Sequence, residues 1–383
     1  MKLTVMISVN TAWNLLNFRA GLIQSFVSAG YDVVAVAPPD EYSPSLAALG
    51  CRFVPLPMDN EGTHPARDLL LLLRFLKLLR DEKPHVYLGY TVKPNVYGSL
   101  AANVLGVSVV NNIAGLGAVF IKGGWLNQLV KALYRVALSR SRRVFFQNKD
   151  DRQLFIEHRL VPERVTDLLP GSGIDLGKFS PVPLPNNTRI RFLLIARMLW
   201  DKGVGEFVEA ARLLNQRGIR AEFCLLGFLD VQNPAAISRK QVDDWVVEGA
   251  VRYLGVSDNV RQEIAQADCI VLPSYREGTP RTLLEAAAMA RPIVSTNAVG
   301  CREVVEDGHN GFLCRTKDAH DLAEQMARIA EMTPAEREAM GMRGREKVER
   351  EFDEQIVIKK YLETISSILE VGKSVSEKPH SAD

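Results

Sequence analysis

At 383 residues the chain is long enough for two domains, since one domain usually holds about 100 to 200 residues. A composition of 47% hydrophobic and 24% charged residues excludes collagen-like, disordered and disulfide-scaffold classes. The formal net charge of +2 hides an asymmetry, because residues 1–180 hold 20 Lys/Arg against 14 Asp/Glu and residues 181–383 hold 27 against 31.

The chain opens on LTVMIS (3–8), an apolar run expected to form a buried parallel strand, then a polar loop, NTAWNLLN, and a helical pattern through Phe26. No apolar segment with a small-residue cleavage site follows Met1, so no signal peptide is expected. The alternation recurs at YDVVAVAP (31–38), CRFVPL (51–56), HVYLGY (85–90), VSVVNNI (107–113) and RRVFFQ (142–147), each separated by helix-length segments. Repeated βα units imply a parallel sheet covered on both faces. The stretch LLLLLRFLKLLR (69–80) is expected to be core, with Arg74, Lys77 and Arg80 facing out. The uncharged run from Pro94 to Ile121 is long enough to span a bilayer, but its asparagines and glycines make it helix, buried strand and loop.

Residues 119–149 contain Lys122, Lys131, Arg135, Arg140, Arg142, Arg143 and Lys149 and no acid. Within them, GGWLNQLVKALYRVALSRSRR (123–143) has apolar positions at helical spacing with Trp125 and Tyr134, as an interfacial helix would. The alternative is a helix packed on the sheet whose outer face is simply basic. Trp125, Lys131, Arg135 and Arg142 are the residues expected to face an anionic membrane.

The linker PGSGIDLGKFSPVPLPNN (170–187) is dense in Pro, Gly and Ser, and a second set of βα units begins beyond it at RIRFLLIA (189–196), AEFCLLG (221–227), AVRYLG (250–255), DCIVLPS (268–274) and RPIVST (291–296). Two Rossmann-like domains are therefore expected, at 1–174 and 175–355. Consecutive amphipathic helices run from His320 to Leu369; segment 356–372 is expected to pack back on the first domain, and the polar tail 373–383 to be disordered.

In open parallel sheets, ligands bind beyond the carboxyl ends of the strands. The richest such loop reads Tyr275-Arg276-Glu277-Gly278-Thr279-Pro280-Arg281, with Thr279 and Pro280 suited to be N-cap and first helical residue. The amides of Gly278 and Thr279 would then point at an anion. Glu277 ahead of that helix and Glu285 within it would suit vicinal hydroxyls, which carboxylates accept in pairs. The bland alternative is that both acids only favour a helix N-terminus. After RFLLIA, Arg197 and Lys202 could converge on a diphosphate; alternatively Lys202 pairs with Asp201 or Glu206.

With these residues in view, the sequence resembles the retaining glycosyltransferases of family 4, which have the GT-B fold of two Rossmann-like domains with parallel sheets facing across a cleft. The resemblance rests on Arg197 with Lys202-Gly203, the E-x7-E spacing from Glu277-Gly278 to Glu285, Gly173-Ile174-Asp175 with Phe179, and Asn310-Gly311. It implies that Arg197 and Lys202 hold the donor diphosphate, Glu285 the ribose hydroxyls and Glu277 the transferred sugar. NLLNFR (14–19), TVKPNVYGSLAA (91–102) and NNIAGLGAVF (111–120) look like the branch that extends polyprenyl-diphosphate-linked sugars in bacterial glycan assembly. A UDP-sugar donor, a polyprenyl-diphosphate-linked acceptor and a cytoplasmic place on the inner face of the cell membrane follow from that likeness. Asn17, Arg19, Thr91 and Lys93 are the acceptor-side candidates. The first loop lacks the paired glycines of many relatives, and Thr91 and Lys93 stand where relatives often have a histidine.

No H-x-H, H-E-x-x-H or D-x-D occurs, so neither a metal nor a cofactor is expected, the UDP-sugar being a co-substrate. A GT-B sugar-nucleotide epimerase and an inactive sugar-nucleotide-binding assembly subunit are the other readings.

Overall fold

β-branched and apolar runs of four to six residues, each followed by a helix, leave the chain few options besides parallel sheets buried on both faces. The computed structural model describes residues 2–59, 64–116, 125–231 and 233–376, without the side chains of 125, 126 and 371–376. Its contacts divide the chain into two units, residues 1–172 with 354–383, and residues 173–353. The division thus falls at 172/173 and 353/354, two residues before each expected boundary.

The first unit holds seven strands, β1 Thr4–Ser8, β2 Asp32–Ala37, β3 Arg52–Pro55, β4 Val86–Tyr90, β5 Ser108–Ile113, β6 Arg143–Phe146 and β7 Thr166–Leu168. They form one parallel sheet in the order β3-β2-β1-β4-β5-β6-β7. Alternate residues face opposite layers: Val5 and Ile7 pack with Ile23, Phe26 and Tyr361, while Met6 and Tyr87 pack with Leu71, Phe75 and Ala101. The helix Glu354–Ser376 belongs to the first layer, where Tyr361 is fully buried between Phe26, Tyr90 and Phe145 and Lys360 bonds Asp167 and the Leu168 carbonyl. It reaches four residues into the tail expected to be disordered; residues 377–383 lie outside the described residues.

Two expectations for this unit are corrected. NTAWNLLN is not a loop: Thr11 accepts the Asn14 N–H at 3.1 Å and starts a helix at Ala12 that runs to Phe18. The leucine run lies on helix Pro65–Glu82, but only Leu71, Phe75, Leu78 and Leu79 of it are buried, and Leu69, Leu70 and Leu73 are exposed. A 3.6-residue period cannot bury five consecutive leucines on one sheet.

The second unit holds β8 Ile190–Ile195, β9 Ala221–Leu226, β10 Arg252–Tyr253, β11 Cys269–Leu272, β12 Ile293–Thr296 and β13 Gly311–Cys314, in the parallel order β10-β9-β8-β11-β12-β13. Arg291 is fully buried and donates to the carbonyls of Val182, Pro183, Ile264 and Ala265 at 2.9–3.1 Å. Burial lowers its pKa to about 10, and the carbonyl set gives its donors the partners a buried guanidinium needs. The linker is thereby tied to the second unit. Among the described residues no helix is long and apolar enough to cross a membrane.

Candidate active site

In the second unit the strand order reverses between β8 and β11, so the loops leaving their carboxyl ends lie side by side at the switch point where open α/β sheets take ligands. The backbone fastens these loops together. Asp201 O accepts from Tyr275 N at 2.9 Å and from Ser274 Oγ at 3.2 Å. Gly203 adopts φ +73°, and a Cβ there would stand 2.1 Å from Pro273 O, so only glycine admits this approach.

The consequence is a direct ion pair between Lys202 Nζ and Glu277 Oε1, with both side chains largely shielded. Lys202 therefore pairs with neither Asp201 nor Glu206, the partners its helix-entrance position offers. Glu206 instead accepts the Tyr275 hydroxyl at 2.6 Å, and Lys317 Nζ sits 4.9 Å from the Tyr275 ring centre. Burial and the adjacent Glu206 carboxylate raise the Tyr275 pKa, so the phenol stays protonated and keeps donating. Arg197, two residues beyond β8, is exposed and its side chain bonds no described residue. It presents an unneutralised charge at the switch point.

Glu277 is held from below. Its N–H donates to Val299 O at 2.9 Å, and Gly300 at φ +88° lies so close that a Cβ would come within 2.6 Å of the Glu277 and Gly278 carbonyls. The helix that follows runs Arg281–Ala288 with Pro280 as its N-cap, one residue later than the sequence pattern implies. Proline lacks a side-chain acceptor, so the first turn has no side-chain cap; Gly278 is buried and Thr279 half-buried, and both interact with neighbours.

Glu285 stands one turn into that helix, nearly buried, with Oε1 3.2 Å from Arg281 Nε. Burial raises its pKa, and the charges of Arg281 and, more weakly, Lys178 oppose that rise. Arg281 also donates to Gly173 O at 2.7 Å, which connects the glycine of the linker motif to the Glu285 carboxylate. Burial, with Glu277 close by, pushes the Cys301 thiol up to about 12, so Cys301 is a neutral wall of this site. Asn310 and Gly311 lie apart in role: Asn310 is buried, accepting from Glu306 N and donating to Val304 O, and Gly311 lets β13 approach Ile293 O. Sequence reasoning missed Tyr275, Arg281 and Gly300; a glycine just before a cysteine in the loop after β12 was the only available signal for the last.

In the first unit the equivalent switch point lies between β1 and β4. Thr91 follows β4 directly with φ +58°, a strained value for a β-branched residue and of the kind that collects at functional sites, and its hydroxyl donates to Tyr90 O at 2.6 Å. Lys93 is ion-paired with Asp68 at 3.0 Å, both being largely buried. Arg19 is buried, its guanidinium 4.5 Å from the Tyr90 ring centre and bonded to Phe18 O, and its Nε finds no partner among the described residues. Asn17 turns back to donate to Trp13 O at 3.0 Å. Thr91, Lys93 and Arg19 thus gather around the end of β4, while Asn17 is engaged with its own helix. A buried amide network of Asn95, Asn111 and Asn112 with Ser99, Ser141 and Tyr361 fixes the loop beneath Thr91.

The basic helix runs Trp125–Leu138. The Trp125 side chain lies outside the described residues, as does Lys122. Lys131 Nζ is 3.3 Å from His158 Nε2, and Arg135 donates to the His158 and Arg159 carbonyls, stabilising the end of helix Lys149–Glu157. Arg142 is exposed. No group of three His, Cys, Asp or Glu side chains able to hold a metal occurs among the described residues.

Comparison with known proteins bears on the family and the fold. The family described as "Glycosyl transferase 4-like domain" matches residues 18–171, and that described as "Glycosyl transferases group 1" matches 189–332. The N,N'-diacetylbacillosaminyl-diphospho-undecaprenol alpha-1,3-N-acetylgalactosaminyltransferase of Campylobacter jejuni is 27% identical over 93% of this chain and 96% of its own length. The UDP-Gal:alpha-D-GlcNAc-diphosphoundecaprenol alpha-1,3-galactosyltransferase of Escherichia coli is 24% identical over 69% and 71%. Among solved structures, sucrose-phosphate synthase from Thermosynechococcus elongatus superposes with TM-score 0.79 at 19% identity over 97% and 100% of the two chains. Anabaena HepE, determined with UDP and glucose, does so with TM-score 0.74 at 17% identity over 96% and 100%. These structural likenesses establish the GT-B fold class.

Proposed function

Because the chain belongs to the glycosyltransferases that join a glycosyl transferase 4-like domain to a group 1 domain, we propose that it transfers a hexose or N-acetylhexosamine from a UDP-sugar to a polyprenyl-diphosphate-linked saccharide, with retention at the anomeric carbon, in bacterial polysaccharide assembly. The observation that carries the donor half of this reading is the Lys202–Glu277 pair beside the unpaired Arg197 at the β8/β11 switch point. Two cations and one carboxylate there match a diphosphate bearing a sugar.

In this reading the bond between the sugar's anomeric carbon and the diphosphate oxygen breaks, and the acceptor hydroxyl oxygen forms its bond to that carbon on the same face. The hydroxyl proton passes to the departing diphosphate, so no side-chain base is needed. Arg197 and Lys202 stabilise the charge growing on the diphosphate, and it is there that preorganised donors lower the barrier most. Glu277, steered by Lys202 and by the Val299 carbonyl, accepts from hydroxyls of the transferred sugar. Glu285 takes the ribose hydroxyls, its second oxygen being left by the Arg281 contact. The charge comes wholly from side chains, and neither a metal nor another cofactor takes part.

The acceptor half rests on the two undecaprenol-linked relatives and on Thr91, Lys93 and Arg19 around β4. Such an acceptor places the chain on the inner face of the cell membrane, with Lys131, Arg135 and Arg142 toward anionic lipid. Incubating the chain with a panel of UDP-sugars, with and without a polyprenyl-diphosphate saccharide, tests the reading. Sugar-extended lipid formed only when both are present is the expected product; epimerised UDP-sugar without acceptor, or binding without any product, would replace it with an epimerase or a binding subunit.

A further inference from the structure

Apart from Val92 in the loop after β4, the large exposed apolar side chains among the described residues of the first unit lie on one side of its sheet. The sheet side covered by helices Ala12–Phe18, Ala20–Ser28 and Glu354–Ser376 shows none among its described residues. On the opposite side, Leu69, Leu70 and Leu73 of helix Pro65–Glu82 are 46–58% exposed, Val104 of helix Ser99–Leu105 is 74% exposed, and Leu129 and Val136 of helix Trp125–Leu138 are 45% and 59% exposed. Helix Ser99–Leu105 packs against both of the others; Met6, Val34, Tyr87 and Val109 lie beneath the first two helices, and Ile113, Val144 and Phe146 beneath helix Trp125–Leu138. Helical period places Leu69, Leu70, Leu73, Lys77 and Arg80 on one outward stripe, away from buried Leu71, Phe75 and Leu78. The outward stripe of helix Trp125–Leu138 likewise joins Leu129, Ala132 and Val136 to Arg135, with no acid from residue 125 to 149. Lys77 is paired with Asp81 at 3.0 Å, but Arg80, Arg140 and Arg142 have no acidic partner among the described residues, and a row of exposed leucines and valines on adjoining helices mixed with such cations is the composition of an interfacial surface.

At the border of this layer is a cavity of about 370 Å³ lined by Asn103, Gly106, Val107, Ser108, Arg140 and Arg142. Arg140 reaches the Asn103 carbonyl only at 3.4 Å, and the Arg142 side chain bonds no described residue. The Asn103 amide is engaged with the Ala137 carbonyl at 2.9 Å, but the two guanidiniums and the Ser108 hydroxyl around this space suit a phosphate group, for which arginine offers paired donors. Val104 adjoins Asn103 on the cavity's rim.

We propose that this layer is the surface on which the chain docks to an anionic bilayer, with the cavity between Arg140 and Arg142 holding the phosphate of a lipid headgroup and the exposed leucines and valines entering the bilayer interface. The proposal rests on the polyprenyl-acceptor reading only for the reason a bilayer should be near. The 3.0 Å Lys93–Asp68 pair sets Leu69 beside the Thr91–Lys93 loop, so docking here brings the lipid phase to the acceptor residues. The apolar anchor is thus the leucine helix, and the basic helix supplies charge beside it.

Sedimentation of the full chain with vesicles tests this. Wild type should bind phosphatidylcholine:phosphatidylglycerol vesicles far better than phosphatidylcholine alone. Arg140→Gln/Arg142→Gln should lower binding to the anionic vesicles by roughly thirtyfold and flatten its salt dependence. Leu69→Ser/Leu73→Ser/Val136→Ser should lower it at least about tenfold with the salt dependence kept. All three positions of the second variant are exposed, so unchanged melting curves are expected, as is unchanged transfer to a water-soluble short-chain acceptor analogue. Wild-type binding by both variants, or no binding by wild type, would overturn the proposal. So would displacement by inorganic phosphate beyond that by sodium chloride of equal ionic strength, which would make the cavity a site for free phosphate. Vesicle binding as expected with no transfer to any acceptor would instead sink the catalytic reading and leave the docking surface standing.

Discussion

Lys202 and Glu277 neutralise each other, yet neither is wasted, because the pair aims both at one point where β8 and β11 end. Replacing Lys202 or Arg197 with Ala should lower turnover by about 10²- to 10³-fold, the loss expected for one preorganised donor, which steady-state kinetics would measure. Glu285 carries a different tension. Burial raises its pKa above the ordinary carboxyl range, so between the unfolded and folded values the native state binds more protons and stability falls as pH rises. Glu285→Gln should therefore raise the melting temperature at neutral pH, narrow that advantage as pH falls through the carboxyl range, and weaken nucleotide binding. A melting temperature unchanged at every pH would remove the strain assigned to this carboxylate. The two glutamates were legible from their spacing, since seven intervening residues separate a loop position from a helix position. Lys202's partner was not, because the register between β8 and β11 brings together two residues 75 apart in sequence.

Most strands were readable as short apolar or β-branched stretches between helix-length segments, whereas β7, Thr-Asp-Leu, and β13, Gly-Phe-Leu-Cys, were missed. Both are edge strands, β7 carrying a charged residue at its centre and β13 opening on a glycine, and neighbours rather than propensity hold them in place. Helix Ala12–Phe18 was hidden by its asparagines, and Pro280 moved the start of the glutamate helix because φ near −71° and extended ψ suit a cap as well as a first turn. The loop after β8 shows how an element's end can be decided by one residue: Gly203→Ala would force a Cβ against Pro273 O at a positive φ. That substitution should cost about 1–3 kcal/mol in thermal or denaturant unfolding and, by opening the two loops, reduce turnover alongside. Stability and turnover both at wild-type values would show that the loops are not fastened as described.

At the scale of the molecule, composition and the repeated βα pattern sufficed for two parallel-sheet units, but the return of the last helix to the first unit came from its apolar face, Val357, Ile358, Tyr361 and Ile365, finding a vacant layer. Tyr361 fills the space between Phe26, Tyr90 and Phe145, so Tyr361→Ala should destabilise the first unit by about 3–5 kcal/mol, the usual result of deleting a buried ring. Unfolding followed by tryptophan fluorescence would report it through Trp13, and an effect below about 1 kcal/mol would mean that the helix is only loosely held. The central claim is that Arg197, Lys202, Glu277 and Glu285 form a donor-diphosphate site that works by side-chain charge alone. Titration calorimetry of UDP into the full chain in excess EDTA measures it directly. Wild type should bind, with Arg197→Ala and Lys202→Ala each weaker by at least about tenfold and Glu285→Gln weaker as well; binding that needs Mg²⁺ or Mn²⁺, or that is equal in all four proteins, would contradict the claim.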